Sequence, residues 1–235
     1  MMSNMSPRRR DPKNRASLVE IGARLLAQEG PQALSTRRLA AEAGTSTMAV
    51  YTYFGGMSEL VRSMVHEGFS RLNHYLENVR KSDDPVGDLA NLGRAYRFNA
   101  QANPHLYAVM LGGSSLGGFS LTDEDRQHGR YTLAVVVACV ERCMQAGRFR
   151  QGDAELVAHQ MWSAMHGLAT LELGGFLVEP YTAEIVYEPQ LIGLMVGAGD
   201  APEAATRSVE LSRENLPDKL RGRPRGRRRP SRTLP

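Results

Sequence analysis

The sequence predicts an all-α protein: three short N-terminal helices, a connecting fourth helix and a C-terminal helical bundle. Two observations favour this class. Apolar residues recur at helical spacing along most of the chain, and Gly or Pro divides the periodic segments. With 235 residues, 42% of them hydrophobic, the chain is long enough for one large domain or two small ones with a real core.

The first four predicted helices span residues 16–28, 36–43, 47–54 and 58–81. Gly30-Pro31 ends the first of them. Ser35 is expected to cap the second, and Gly44 to end it in a left-handed conformation. Ser46 begins the third, which ends at Gly55-Gly56.

Five further helices are predicted over residues 85–102, 104–111, 122–147, 153–177 and 182–197. The run of three valines at 135–137 is also compatible with a strand, but it lies in a stretch of about 26 residues without Pro, which favours a helix. The predicted organisation is a basic disordered arm (1–13), a DNA-binding domain (14–60), a helical effector-binding and dimerisation domain (61–199) and a disordered basic tail (200–235).

The charge is unevenly distributed. Residues 1–15 carry a net +4 and residues 207–235 a net +7, whereas the part between them carries −7. Such basic ends either bind a polyanion, most often nucleic acid, or are merely solvated. The longest unbroken apolar run, 133–140, is far shorter than the roughly 20 residues of a membrane span, so we expect no membrane association.

The N-terminus lacks the apolar stretch of a signal peptide, and two cysteines provide no disulfide framework. We therefore expect a cytoplasmic protein.

The predicted helices at 36–43 and 47–54 are joined by a tight turn that contains Gly44. Two short helices across such a turn form a helix-turn-helix unit, whose second helix enters the major groove through its N-terminal residues. The side chains there can bond or contact base edges and phosphates: Thr47, Met48, Ala49, Tyr51, Thr52 and Tyr53. By spacing alone, an ordinary helical hairpin with core aromatics fits as well.

The segments LSTRRLAAEAGTS (34–46) and VYTYF (50–54), followed by Leu60, resemble the TetR family of transcriptional regulators. This resemblance implies an all-α homodimer that binds double-stranded DNA at a palindromic operator and is released by an effector. It implies that Arg37 contacts DNA, that Thr47, Met48, Ala49 and Tyr51 face the groove, and that Thr52 and Tyr53 lie near the backbone. Many members carry Lys at the start of the fourth helix, where this chain has Met57; backbone amides at Gly56 and Met57 remain available for a phosphate.

The segments NPHLYAVM (103–110) and MWSAMHGL (161–168) resemble the TetR subgroup with a WHG-type C-terminal domain. We expect Tyr107, Met110 and Trp162 on the wall of a mostly apolar pocket, with His166 as its polar contact. The alternative is that the Trp162–His166 face is core, with a satisfied histidine. Glu172 either meets a cationic effector or lies at the edge of the bundle.

No constellation of catalytic residues, phosphate-binding loop or metal-ligand spacing is present, so we expect neither an enzyme nor a cofactor. Cys139 and Cys143 are either buried small hydrophobes or a metal or redox pair. In the tail, Arg221, Arg223 and Arg225 lie in an Arg-Gly-Arg-Pro context that either binds the minor groove or is a loose electrostatic tail.

The interpretation that fits best is a homodimeric repressor that responds to a small, mostly apolar ligand. The helices at 153–177 and 182–197 are the expected dimer interface, because each has more apolar side chains than one face needs. The alternatives are a non-specific DNA-compacting protein that uses both basic ends and an all-helical enzyme.

Overall fold

The computed structural model describes residues 12–111, 119 and 121–216, and all regular elements among them are helical, which confirms the predicted class. The α-helices are α1 (Pro12–Glu29), α2 (Thr36–Glu42), α3 (Thr47–Phe54), α4 (Met57–Glu77), α5 (Pro85–Ala102), α6 (Pro104–Met110), α7 (Asp123–Gln145), α8 (Ala154–Gly174), α9 (Ala183–Ala198) and α10 (Pro202–Ser212). Short 3-10 turns occupy Pro31–Ala33 and Arg213–Asn215. No helix in the described ranges is both long and apolar enough to cross a membrane.

The chain divides into two compact units. The first comprises residues up to 69 together with 105–128, and the second comprises 70–104 together with 129 onward. The segment 105–128, which contains α6, was expected in the C-terminal domain, but it belongs to the unit that contains α1 to α3.

The first unit has a core of aliphatic side chains from its N-terminal helices. Among the most deeply buried are Leu18, Leu25, Leu26, Leu39, Val50, Leu60 and Met64. Gly68 of α4 allows α6 to pack closely, because a Cβ at this position would lie 2.8 Å from Met110 Cβ and 3.3 Å from the Leu106 carbonyl oxygen. The absence of a side chain at Gly68 thus sets the distance between α4 and α6.

The second unit is built around α5, which contacts α8, α9 and α10. All residues from Pro85 to Leu92 are buried. Gly93 permits the close approach of α9, since a Cβ there would lie 3.1 Å from Tyr187 Oη and 3.2 Å from Leu191 Cδ2.

Several predicted helix ends differ from the observed ones. α1 begins at Pro12 rather than at residue 16, so it takes in residues expected in the arm, and Pro is well suited to the first turn of a helix. α4 ends at Glu77 rather than at 81. α8 ends at Gly174 rather than at 177, because Gly175 adopts a left-handed conformation with φ 75° and the Phe176 amide donates back to the Leu171 carbonyl at 2.9 Å.

The prediction that residues 200–235 are disordered is wrong for their first part, which forms α10 and the 3-10 turn after it. α10 packs against α5 and α9. Its C-terminal end is held by polar groups of α5: Asn91 Nδ2 donates to the Ser212 carbonyl at 2.9 Å, and Arg94 donates to Ser212 Oγ at 2.7 Å and to the Val209 carbonyl at 2.8 Å. The Gly-rich segment 112–118 and the tail arginines Arg221, Arg223 and Arg225 lie outside the described residues.

Candidate nucleic-acid interface

The turn between α2 and α3 is fixed by local backbone geometry. Ser35 caps α2 by accepting a hydrogen bond from the Arg38 amide at 3.3 Å. Gly44 has φ 62°, and the Thr45 amide after it donates back to the Ala40 carbonyl at 2.9 Å. A residue with a side chain rarely adopts this φ, so Gly44 allows α3 to leave α2 within a few residues.

α3 carries large, mainly apolar side chains on its outer face as well as on its buried face. Val50 and Phe54 are buried. On the opposite side Met48 is 67% exposed and Tyr51 52% exposed, and Thr47 is exposed beside them. These three side chains do not serve the core of the first unit, and they are the part of α3 most available to a partner.

The other residues expected on α3 lie at the flanks of this outer face. Ala49 and Tyr53 are half-buried, and the Tyr53 ring lies 6.3 Å from the ring of Phe54. Thr52 is exposed, but its hydroxyl donates to the Met48 carbonyl at 2.8 Å. Thr52 can therefore accept a hydrogen bond from a partner, while its own proton is already used.

Two adjacent arginines of α2 have different surroundings. Arg38 pairs with Glu29 at 2.7 Å and with Glu42 at 3.1 Å, and these hydrogen bonds raise the pKa of its guanidinium. Arg24 also pairs with Glu42. Arg37 is exposed and forms no ion pair within the described part of the chain. Of the two, Arg37 is thus the cation that is free to meet a phosphate.

The sequence alone did not separate these arginines, although the i, i+4 spacing of Arg38 and Glu42 is a signal for their pairing. A second contact that the sequence analysis missed involves Arg15 of α1. Its guanidinium lies 5.3 Å from the centre of the Phe54 ring and donates to Ser63 Oγ at 3.2 Å. Arg15 therefore links the C-terminal end of α3 to α1 and α4.

The residues expected to contact an effector are divided between the two units. Tyr107 and Met110 are buried on α6 of the first unit. Trp162 and His166 are half-buried on α8 of the second unit. Each pair thus lies within one unit, and a pocket formed by all four residues stays a prediction.

Trp162 and His166 share a partner that the sequence analysis did not identify, Tyr96 of α5. Trp162 Nε1 donates to Tyr96 Oη at 3.3 Å, and the same hydroxyl lies 3.3 Å from His166 Nδ1. Burial lowers the pKa of His166, which favours the neutral imidazole. The face is therefore polar without carrying a fixed charge.

The carboxylate of Glu172 is already paired with residues of α5. Arg97 donates to both of its carboxylate oxygens, each at 2.7 Å, and Gln101 Nε2 donates at 2.7 Å. This pairing does not favour the idea that Glu172 awaits a cationic effector.

Cys139 and Cys143 are both buried free thiols. The hydrogen bond with Cys139, together with burial, raises the pKa of Cys143, the opposite of what a reactive thiolate needs. Within residues 12–111, 119 and 121–216, no three side chains of the metal-ligating types form a metal-binding group.

Comparison with known proteins finds matches in both halves of the chain. A sequence model described as "Bacterial regulatory proteins, tetR family" matches residues 18–64, and one described as "Tetracyclin repressor-like, C-terminal domain" matches residues 89–194. The HTH-type transcriptional regulator Rv1816 of Mycobacterium tuberculosis (strain ATCC 25618 / H37Rv) is 33% identical over 135 residues. That match covers 54% of this chain and 56% of the relative, so the chain spans only about half the length of this relative.

Solved structures show the same fold. A protein of unknown function from Rhodococcus sp. RHA1 is 26% identical with a TM-score of 0.66, covering 85% of this chain and 100% of that one. The TetR family transcriptional regulator PfmR from Thermus thermophilus is 23% identical with a TM-score of 0.64, covering 78% of this chain and 99% of that one.

Proposed function

Because the chain belongs to the TetR family of transcriptional regulators, we propose that it is a repressor whose homodimer binds a palindromic operator and leaves it when a small, mostly apolar ligand binds. DNA is contacted by Arg37 from α2 and by Thr47, Met48, Ala49 and Tyr51 from α3, with Thr52 and Tyr53 near the backbone.

The observation that carries this proposal is the outer face of α3. Major grooves admit an α-helix, and thymine methyl groups are recognised by apolar contact. Met48 and Ala49 offer that contact, and the Thr47 hydroxyl can donate to or accept from a base edge. The large side chains exposed on this helix of eight residues, Met48 and Tyr51, do not pack in the core of the first unit, and contact with DNA bases would explain their exposure.

Dimerisation is supported by a run of exposed apolar side chains from the end of α8 to the start of α9. Its members are Leu171, Leu173, Phe176, Val178, Tyr181 and Ile185, and Phe176 is 74% exposed. So many large apolar side chains exposed within one short segment are typical of an interface, since those on a monomer are usually scattered singly. A two-fold dimer would also match two α3 helices to half-sites about 34 Å apart.

The effector is proposed to contact Tyr107, Met110, Trp162 and His166. A neutral His166 and apolar neighbours suit a ligand with few charges. The ligand must bind the DNA-free geometry more tightly, because equal affinity for both geometries shifts nothing. By linkage, operator DNA weakens ligand binding by the same factor.

The test of DNA recognition is recovery of genomic fragments bound by the full chain, followed by footprinting on the recovered sites. We expect a protected palindrome with two half-sites. Protection that spreads without sequence preference would instead indicate non-specific compaction through the basic ends, and the repressor proposal would be wrong.

The test of the effector site uses Trp162, the only tryptophan of the chain, as a reporter. Ligands that release the operator are expected to change its emission. Unchanged emission, together with normal release in a Trp162→Phe, His166→Ala variant, would place the ligand elsewhere and make the Trp–His face part of the core.

A further inference from the structure

A directed row of hydrogen bonds runs through the second unit and ends at a donor without an acceptor. Arg71 Nη1 donates to Asn103 Oδ1 at 2.8 Å, and Asn103 Nδ2 donates to Asn99 Oδ1 at 3.0 Å. Asn99 is 1% exposed, and its Nδ2 has no hydrogen-bond partner within the described residues.

The orientation of both amides follows from the arginine. A guanidinium has donors only, so the oxygen of Asn103 must face Arg71 and its nitrogen must face Asn99. The oxygen of Asn99 is then committed to Asn103. Flipping the Asn99 amide would place two NH₂ groups against each other. The group that is missing beside Asn99 must therefore be an acceptor.

The unpaired donor lies on the α5 face that also carries the hydroxyl shared by Trp162 and His166. Tyr96 and Asn99 are three residues apart, so their side chains leave the same side of the helix. The second unit thus brings together on this side a half-buried indole, a neutral imidazole, a phenol and one unpaired amide donor.

We propose that Asn99 is the polar anchor of the effector site and that the ligand presents a carbonyl or carboxylate oxygen to Asn99 Nδ2. This inference rests on the proposed ligand-responsive function and names the chemistry of the ligand. A protonated alkylamine does not fit beside Asn99, because an ammonium group has three donors and no lone pair to accept from Nδ2.

An acyl oxygen fits better than a resident water. A buried water typically makes about three hydrogen bonds and has two protons to place. Asn99 Oδ1 already accepts from Asn103, and Tyr96 Oη already accepts from Trp162 and lies 3.3 Å from His166 Nδ1. A carbonyl or carboxylate oxygen only accepts, so it satisfies Asn99 without needing a further acceptor.

The experiment uses small probe molecules that are matched in shape to one another. Their binding to the full chain is measured by Trp162 fluorescence and by thermal shift. The aromatic set is acetophenone, ethylbenzene and 1-phenylethylamine, and the aliphatic set is octanoate and octylamine. We expect the oxygen-bearing member of at least one set to bind at least about tenfold more tightly than its matched partners, a difference of about 1.4 kcal/mol.

Two variants then assign the preference to Asn99. Asn99→Leu keeps the branched shape of the side chain and removes the donor, so the oxygen-bearing probe should lose about tenfold in affinity while ethylbenzene does not. Asn99→Asp replaces the donor by an acceptor and should shift the preference towards the amines, which keeps the proposal testable if the leucine variant folds poorly. Asn73→Leu on α4, where the side chain pairs with Glu77 outside the row, is the matched control and should behave as the parent chain.

The proposal is wrong if no oxygen-bearing probe binds more tightly than its matched partners. It is also wrong if the preference survives in both Asn99 variants, or if a crystal with saturating probe keeps an ordered water at Nδ2. Operator release is measured separately. If probe binding depends on Asn99 but does not release operator DNA, the binding site is supported and its role as effector site is contradicted. If a ligand releases operator DNA equally from the Asn99 variants, the ligand-responsive function is supported and Asn99 as the polar anchor is contradicted.

Discussion

Arg37→Ala tests the assignment of the free arginine of α2. Each phosphate that a basic side chain neutralises contributes about 0.9 to the slope of log affinity against log salt. Over a fourfold rise in salt, one such contact costs about 3.5-fold in affinity, and two Arg37 side chains in a dimer cost about 12-fold. The variant should therefore bind operator DNA more weakly at low salt and lose less affinity as salt rises, with a slope reduced by about 1.8 per dimer.

Arg38→Ala is the matched control, because it removes the same charge one residue away. Arg38 is paired with Glu29 and Glu42, so its loss should leave the salt slope of the parent chain unchanged. Fluorescence anisotropy of a labelled operator at several salt concentrations measures both slopes. Equal slopes for Arg37→Ala and the parent chain, or a reduced slope for Arg38→Ala, would refute the argument that ion pairing decides which arginine meets DNA.

Four other predictions follow from single positions. Thr47→Ala should change the preferred base at one half-site position, read by selection from a randomised operator; an unaltered profile contradicts base contact. Ile185→Glu, at a site 54% exposed in one chain, should give monomers by light scattering, and a persisting dimer would place the interface elsewhere. Gly68→Ala should cost about 1–3 kcal/mol of unfolding free energy, because α4 and α6 have no room for a methyl group; an unchanged denaturation midpoint would show that the helices separate freely. Burial alone would raise the pKa of Asp125, but hydrogen bonds from Thr122 and His66 and the nearby charge of Arg62 lower it. The ionised carboxylate therefore stabilises the fold above the ordinary carboxyl pKa, and this stabilisation is lost as pH falls through the lowered pKa. Asp125→Asn should remove that part of the acid sensitivity in melting curves, and identical pH profiles would contradict it.

The helix-turn-helix segment was predictable from the sequence because its determinants are local. Ser35, Gly44 and Gly55 act within four residues of the helix ends that they define, and the structure places a cap and two left-handed glycines there. The burial of Val50 and Phe54 likewise follows from their i, i+4 spacing.

The features that the sequence did not reveal depend on partners that are distant along the chain. Tyr96 meets Trp162 and His166 only because α5 packs against α8, 66 and 70 residues later. The buried face of α10 consists of Ala205, Ser208, Val209 and Ser212, whose helical spacing is a local signal but a weak one, because three of these four residues are Ala or Ser. Its order depends on donors from α5 that no local pattern announces.

Because α10 is anchored to α5, the C-terminal folding unit of this protein includes α10. The matched family segment stops at residue 194, yet the amide of Asn91, 2% exposed, finds its acceptor at Ser212. A fragment cut after α9 would expose the face of α5 that α10 covers and would exchange these hydrogen bonds of Asn91 and Arg94 for bonds to water, at a net cost of about 0.5–1.5 kcal/mol for each bond. The smallest fragment around α5 that is expected to fold on its own therefore extends through Ser212. A fragment that ends at residue 194, where the family match ends, would have an incomplete core.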